Sequence, residues 1–524
     1  MSAIGDLGRP ARATEPPRRA GRPRAWAAAS WHRLLVAGRR IPRAGWVCFV
    51  LAFFNCAIWT VVVPPFQVPD EIAHFGYAQY LAETGKPPPQ GPLAQYSDEE
   101  QSTLENLYFF NVIGRAQARG IFTEAEQHAL RANEETHPSR LGQGGASSVT
   151  NQPPLYYALE AVPYWLSPSH EILARLELMR LLSALMAACT VLCVFMFLRE
   201  LLPASRWAWT VGALAVAFQP TFGFIAAGVQ GDNLLFLTSS LTILLLMRAY
   251  RRGLTVRRAA WIGAAVAAGV LAKLTFIALL PGIALALALL AWRARPQGRG
   301  RAAAALAVGV AVAALPVLLY ALLNVTVWHR GSPTAGGVAG ATNSALPGGG
   351  TVTLNETLDY AWQLYLPRLW FMHHTYFTTN PLWGTWIDGT VGHFGWLDYT
   401  FPAWVYADVH ELVKVLAALA LLGLVRVRAA IKPALPIFAC FAVMAVGLLG
   451  AIGYAGIRYR LSSGQPFEQA RYLFPLLSFY ALFLVLAARG VGRRWAPVLG
   501  AVLVALAMAH GLFAETLTIS RYYG

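Results

Sequence analysis

Residues 44–75 read AGWVCFVLAFFNCAIWTVVVPPFQVPDEIAHF, an apolar run that ends at a pair of prolines and is followed at once by acids. A bilayer core takes roughly 20 apolar residues of helix to cross, and the stretch up to Val63 has that length. The text behind it sets Asp70, Glu71 and His74 at a membrane surface. Ionisable groups in that place are a chemical site before they are a structural one.

The same pattern repeats along the 524 residues, which are 56% hydrophobic and only 13% charged. Candidate crossings fall near 44–63, 175–198, 206–224, 230–247, 258–273, 275–292, 302–327, 404–425, 433–455, 471–488 and 495–513. The expectation is an all-α polytopic membrane protein with about eleven transmembrane helices. A net charge of +16 would suit nucleic acid, but the arginines cluster between apolar runs, as they do in cytoplasmic loops. Nucleic acid is therefore set aside as a partner. Cys48, Cys56, Cys189, Cys193 and Cys440 all lie in apolar runs and read as packing residues, not as a disulfide framework. The basic start, Arg9 to Arg43, leads into a full-length span without a small-residue cleavage site, so the first helix is expected to stay as an anchor.

Orientation follows from the basic stretches at the N-terminal arm, 248–258, 293–301, 426–432 and 489–494. All are cytoplasmic if the segment 153–167, rich in Tyr and Trp, lies in the interface and does not cross. The expected domains are a cytoplasmic arm, 1–43; a transmembrane module, 44–327, containing an extracytoplasmic loop at 64–174; a second outer loop, 328–403; and C-terminal helices, 404–524. The first loop has helix-like text at Ser97–Gly114 and Phe122–Asn133, then a Gly- and Ser-rich stretch, Ser139–Thr150, expected to form a mobile lid. The second opens with a Gly-rich run, Gly331–Gly350, and turns aromatic through Trp362, Trp370, Trp383, Trp386 and Trp396. Such residues serve as belt anchors or as a sugar-stacking platform. No internal repeat is apparent, which counts against a transporter built from inverted halves.

Asp70 and Glu71 follow Pro69 and read either as an N-cap with a first-turn acid or as a reactive pair. His74, one turn on, shares their helical face, so a carboxylate and an imidazole could converge on one ligand or metal. Asp232 falls at the outer end of a helix, where it is an N-cap or a functional acid. Lys273, in an outer turn, breaks the positive-inside pattern, which an anionic headgroup or phosphate would explain, and Arg471, opening another outer helix, reads either as a snorkelling arginine or as a phosphate contact. Together these residues suggest sugar transfer from a lipid phosphate, in which a base deprotonates the acceptor hydroxyl, Glu71, His74 and Asp232 orient the acceptor or a metal, and Lys273 and Arg471 hold the departing phosphate. Tyr156, Asn233, Trp396, Asp398 and Tyr472 are expected to line the substrate site. Asp70, Glu71, His74 and Asp232 could ligate one hard divalent cation such as Mg2+, Mn2+ or Ca2+; no organic cofactor is expected. The competing readings are a lipid-linked substrate flippase, whose charges would spread along crossing helices, and a non-catalytic envelope scaffold.

The text DEIAHFG at Asp70–Gly76 resembles the DEVHFG of protein O-mannosyltransferases, polytopic glycosyltransferases of the GT-C class. PPLYY at Pro153–Tyr157 is similar to the PPLG element of those enzymes and of the lipid A aminoarabinose transferases, and Asp232 and Lys273 match acidic and lysine positions there. A nearer resemblance is to a bacterial group of membrane proteins marked by PPFQVPDE-x-x-HF, FGWLD-x-x-x-P and RYLFP, here Pro64–Phe75, Phe394–Pro402 and Arg471–Pro475. The GT-C resemblance implies Asp70 as catalytic base, a polyprenyl-phosphate sugar as donor and an envelope glycan, glycolipid or protein as acceptor. It also implies inversion at the anomeric carbon and an extracytoplasmic site in a bacterial cytoplasmic membrane, among membrane lipids. Asn151 and Gln152 stand where the aminoarabinose transferases carry a lysine before their prolines, leaving Lys273 and Arg471 to supply the charge.

Overall fold

The computed structural model describes residues 41–90, 95–118, 123–142, 144–145, 147–330 and 352–524. The basic arm up to residue 40 and the Gly-rich run 331–350 lie outside the described residues. The helices are α1 (Arg43–Val62), α2 (Glu71–Thr84), α3 (Asp98–Asn106), α4 (Glu124–Glu135), α5 (Leu155–Leu166), α6 (Ile172–Leu201), α7 (Arg206–Ala217), α8 (Pro220–Ala226) and α9 (Asp232–Arg252). They continue as α10 (Val256–Ala272), α11 (Leu280–Ala294), α12 (Arg299–Thr326), α13 (Leu354–Tyr365), α14 (Ala403–Ile431), α15 (Leu435–Ser463), α16 (Leu477–Gly490) and α17 (Ala496–Tyr523). A two-residue antiparallel pair, β1 (His393–Phe394) and β2 (Tyr399–Thr400), closes a hairpin with Phe394 opposite Tyr399.

Each apolar run expected to cross is helical. Among the described residues, eight helices are long and apolar enough to span a bilayer, and nine if α7 and α8 form one bent span. The count of eleven is therefore not reached on that criterion: α10 has only 17 residues, and α14 carries Lys414, Arg426 and Arg428 within its apolar stretch. The bend of 61° between α7 and α8 has a local cause. Pro220 brings no amide hydrogen, and the Gln219 side chain caps the new helix by accepting from the Phe222 N–H at 2.5 Å.

The two outer loops fold locally by capping. Ser97 accepts from Glu100 N–H at the start of α3, while Thr123 with Glu126, and Thr353 with Glu356, form capping boxes. With 12 residues, α5 is too short to span. It buries Tyr156, Tyr157, Glu160 and Tyr164 while exposing Leu159, Val162, Trp165 and Leu166, the two-faced pattern of an interfacial helix. The aromatic loop divides: Trp386 is buried and stacks on Tyr365, whereas Trp370 is 91% exposed.

Close helix contacts rest on glycines. A Cβ at Gly423 would overlap the carbonyl of Leu486, and one at Gly490 that of Leu419, so α14 and α16 pack backbone to backbone. Gly490→Leu is expected to cost about 1–3 kcal/mol, read as a lower thermal midpoint in detergent. Gly450→Leu, at a position with open space, serves as the control and leaves the midpoint unchanged.

Candidate functional site

Four helix ends meet at one cavity. Asp70 lies just beyond α1, and Asp232 opens α9, whose far end carries Arg251 and Arg252. Lys273 follows α10, whose own start carries Arg257 and Arg258, and Arg471 sits in the short 3-10 turn that leads into α16. The site residues thus occupy the ends opposite the basic clusters.

Asp70 takes the N-cap position of α2 but does not cap it. Its backbone is left-handed, at φ 65°, and its side chain makes no capping bond. The carboxylate instead accepts from Arg471 Nη2 at 2.5 Å. Asp232 is likewise no N-cap, since Gly231 holds that place. Its Oδ1 accepts from Lys273 Nζ at 2.6 Å, and its Oδ2 lies 3.8 Å from Arg471 Nε. Two carboxylates and two cations thereby form one connected cluster. The Asp70 side chain, 37% exposed, is the member that opens most into the cavity. Burial alone would raise the Asp70 carboxyl, but the Arg471 guanidinium, with Lys273, holds it below the usual range.

His74, on the first turn of α2, is almost wholly buried, shares its Nδ1 with Tyr157 Oη at 2.9 Å and stacks on that ring. Burial, followed by the Lys273 charge, pushes its pKa down to about 3 against the pull of Asp70 and Asp232. The imidazole is neutral near pH 7.

Glu71 points away from the cavity. It is fully buried and meets Arg180 of α6 in a fork, with Nε to Oε1 at 2.8 Å and Nη2 to Oε2 at 2.6 Å. Its Oε1 also accepts from the Val229 N–H at 2.9 Å. Arg180 goes on to the carbonyls of Val63 at 2.8 Å and Pro64 at 2.9 Å, stitching the end of α1 to α2 and α6. Gln230 completes the support by donating to the Pro69 carbonyl at 2.7 Å.

The cavity, about 620 Å³, is lined by Asp70, His74, Lys273, Arg471 and Tyr472, by Gln152 and Ser148 of the first loop, and by an apolar wall including Leu274, Ile277, Ile452 and Phe467. Of the residues expected to line it, Tyr472 does. Tyr156 is turned inward to the Gln230 N–H and Ser183, and Asn233 is spent on the carbonyls of Ile225 and Gly228. Trp396 donates to the Phe66 carbonyl and Asp398 pairs with Arg521, both away from the cavity. A separate cavity of about 580 Å³ in the first loop, crossed by the Arg140–Glu83 and Arg140–Glu99 ion pairs, contains none of these residues.

The four residues considered as cation ligands do not fit one. Asp70 and Asp232 are each paired with a cationic side chain, Glu71 with Arg180, and His74 with Tyr157. Among the described residues no three His, Cys, Asp or Glu side chains converge on a metal position. Sequence reasoning missed Arg180 and Gln230. Arg180 could have been found, since an ionisable residue inside an apolar run demands a partner.

Two outcomes follow. Arg180→Met leaves the Glu71 carboxylate buried without its partner and is expected to cost about 3–5 kcal/mol, measured by thermal unfolding in detergent. His74 binds fewer protons folded than unfolded between its ordinary pKa of 6.5 and about 3, so stability falls as pH drops through that window. His74→Gln is expected to flatten the fall in melting temperature between pH 6.5 and pH 4.

No curated protein sequence matches the chain significantly. Among solved structures it is similar to ArnT from Cupriavidus metallidurans in the apo state, at 15% identity and a TM-score of 0.44 over 94% of this chain and 78% of that one. It is also similar to the same protein bound to undecaprenyl phosphate, at 16% identity, a TM-score of 0.37 and coverage of 92% and 78%. A third likeness is to the arabinosyltransferase EmbB from Mycobacterium smegmatis, at 15% identity, a TM-score of 0.35 and coverage of 93% and 42%. The sequence pattern of the predicted membrane protein family DUF2142 matches residues 53–480, and the chain belongs to that family.

Proposed function

We propose that this protein is a GT-C-type membrane glycosyltransferase that moves a sugar from a polyprenyl-phosphate donor to a cell-envelope acceptor on the extracytoplasmic face. The observation that carries the reading is the cluster of Asp70, Arg471 and Lys273 against an apolar wall in one cavity, with Asp232 buried behind them and paired with both cations. A lipid phosphate needs a cationic seat beside an apolar slot, and an acceptor hydroxyl needs a base within reach. The basic clusters at the opposite helix ends support an outward-facing site.

In the proposed reaction the Asp70 carboxylate takes the acceptor hydroxyl proton as its oxygen attacks the anomeric carbon. The bond from that carbon to the phosphate oxygen breaks, and the electron pair leaves with the polyprenyl phosphate. Arg471 and Lys273 stabilise the charge gathering on the departing phosphate, and a single displacement inverts the anomeric centre. Neutral His74 orients the acceptor, Asp232 holds Lys273 in place, and Leu274, Ile277 and Ile452 receive the first prenyl units. Arg471 serves both ends of the reaction, since it must loosen from Asp70 as it takes the phosphate.

The test is transfer from radiolabelled polyprenyl-phosphate mannose, glucose, arabinose and galactose to extracted envelope acceptors by detergent-purified protein. Asp70→Asn is expected to lower transfer by about 10²- to 10⁴-fold with donor binding retained, and Lys273→Met to raise the donor KM. EDTA leaves transfer unchanged. Equal transfer by wild type and Asp70→Asn would remove Asp70 from catalysis, and no transfer from any donor would shift the balance to a lipid-linked flippase.

A further inference from the structure

The FGWLD motif and the end of α17 take no part in the cavity, yet both grip the turn that presents Asp70. That turn is strained: Phe66 and Asp70, neither of them glycine, are both left-handed, at φ 64° and 65°. Such backbone persists only where its surroundings over-determine it. Arg180 secures Val63 and Pro64, and Gln230 secures Pro69. Between these anchors Gln67 donates its N–H to the Pro64 carbonyl at 3.2 Å and Phe66 packs on Phe75, and the remaining ties of both residues come from distant elements.

Trp396 donates its indole N–H to the Phe66 carbonyl at 3.4 Å and packs edge-on against Phe109. Tyr522 donates to Gln67 Oε1 at 3.1 Å. These two side chains come from the hairpin and from the last turn of α17, and an ion pair joins their elements. Asp398 Oδ2 lies 3.2 Å from Arg521 Nη2, with the Asp398 side chain 2% and the Arg521 side chain 6% exposed. Tyr399 Oη and Thr518 Oγ1 add a second tie at 3.0 Å. Arg521 also donates to the carbonyls of Arg115, at 2.9 Å, and Ala118, drawing in the first outer loop. The motif is shaped for this pairing. Gly395 is left-handed at φ 60°, and a Cβ there would overlap Asp398 Oδ1. Leu397 is left-handed as well, which turns the chain so that Trp396 and Asp398 serve different partners.

We propose that Asp398 and Arg521 are positioning residues for Asp70: their buried ion pair fixes the hairpin to α17 so that Trp396 and Tyr522 hold the Phe66–Gln67 turn, and with it the base, in place. The inference rests on the reading of Asp70 as the base. A misplacement of about 1 Å at a reacting group costs on the order of 10²-fold in rate, whereas the donor seat on Lys273 lies on other elements.

The experiment compares full-length wild type, Asp398→Asn, Arg521→Gln, the neutral double variant Asp398→Asn/Arg521→Gln, and Trp396→Phe, which keeps an aromatic ring but loses the bond to Phe66. Two readouts are taken on detergent-purified protein: hydrogen exchange of the 64–71 segment, and kcat and KM for the polyprenyl-phosphate sugar that wild type uses. The single charge variants are expected to exchange that segment faster and to lose about 10- to 100-fold in kcat with donor KM within about twofold. The double variant should recover most of the loss because it leaves no unpaired charge, and Trp396→Phe should show a smaller loss of the same kind. If a charge variant does not purify as a monodisperse protein, Trp396→Phe decides the matter alone. Unchanged exchange at 64–71, or faster exchange with kcat unaltered, overturns the proposal. Wild type that transfers no sugar while exchange at 64–71 still responds would mean that the glycosyltransferase reading has failed, not the coupling of the ion pair to the turn.

Discussion

Glu71 and Arg180, buried together out of reach of water, are the contact on which the arrangement around the cavity depends. Removing two charges from water is costly, and the cost is offset only when geometry is good and every remaining donor and acceptor is satisfied. Here the fork is bidentate, and the rest of the guanidinium reaches backbone carbonyls at the end of α1 and beyond it. The Val229 N–H completes the Glu71 carboxylate. One pair therefore ties α1, α2, α6 and the segment leading into α9. Asp70 inherits its direction from this knot: with its neighbour turned inward, its own side chain faces the cavity.

The second constraint is electrical. Asp70 and Asp232 contribute two negative charges and Arg471 and Lys273 two positive ones, and neutral His74 adds none. Opposite charges in contact at membrane depth cost far less than either sign alone. The resting cavity is consequently stable without a ligand, and on the proposed reading an arriving phosphate competes with carboxylates already in place.

Much of this was legible in the text of the chain. The helices were, because apolar length is a one-dimensional property and each expected stretch is helical, though among the described residues only eight or nine are long and apolar enough to cross. The convergence of Asp70, Asp232, Lys273 and Arg471 was too, because the alternation of helix ends places residues on a face without knowledge of packing, although the described part of the aromatic loop expected with them does not line the cavity. What a side chain does on that face was not legible. Glu71 is adjacent to Asp70 in sequence yet serves Arg180, a contact spanning more than a hundred residues. Trp396 and Asp398 looked like substrate contacts because aromatic and acidic groups in an outer loop resemble a binding surface, and the partners they take, Phe66 and Arg521, are fixed by packing between distant segments that the text does not display. The left-handed turns at Phe66, Asp70 and Leu397 left no signal, since none of those positions is a glycine.

If the cavity seats a lipid phosphate as proposed, the neutrality of the resting cluster bears on which lipids reach it. A bilayer presents many anionic headgroups for every rare carrier lipid, and a site with a net positive field would draw in all of them. A seat whose cations are already matched has little attraction at a distance and yields only to a molecule that makes enough contacts to separate Arg471 from Asp70. On the proposed reading abundant phospholipids are discriminated against by the work of opening an ion pair, so selection rests on fit along the apolar wall more than on charge.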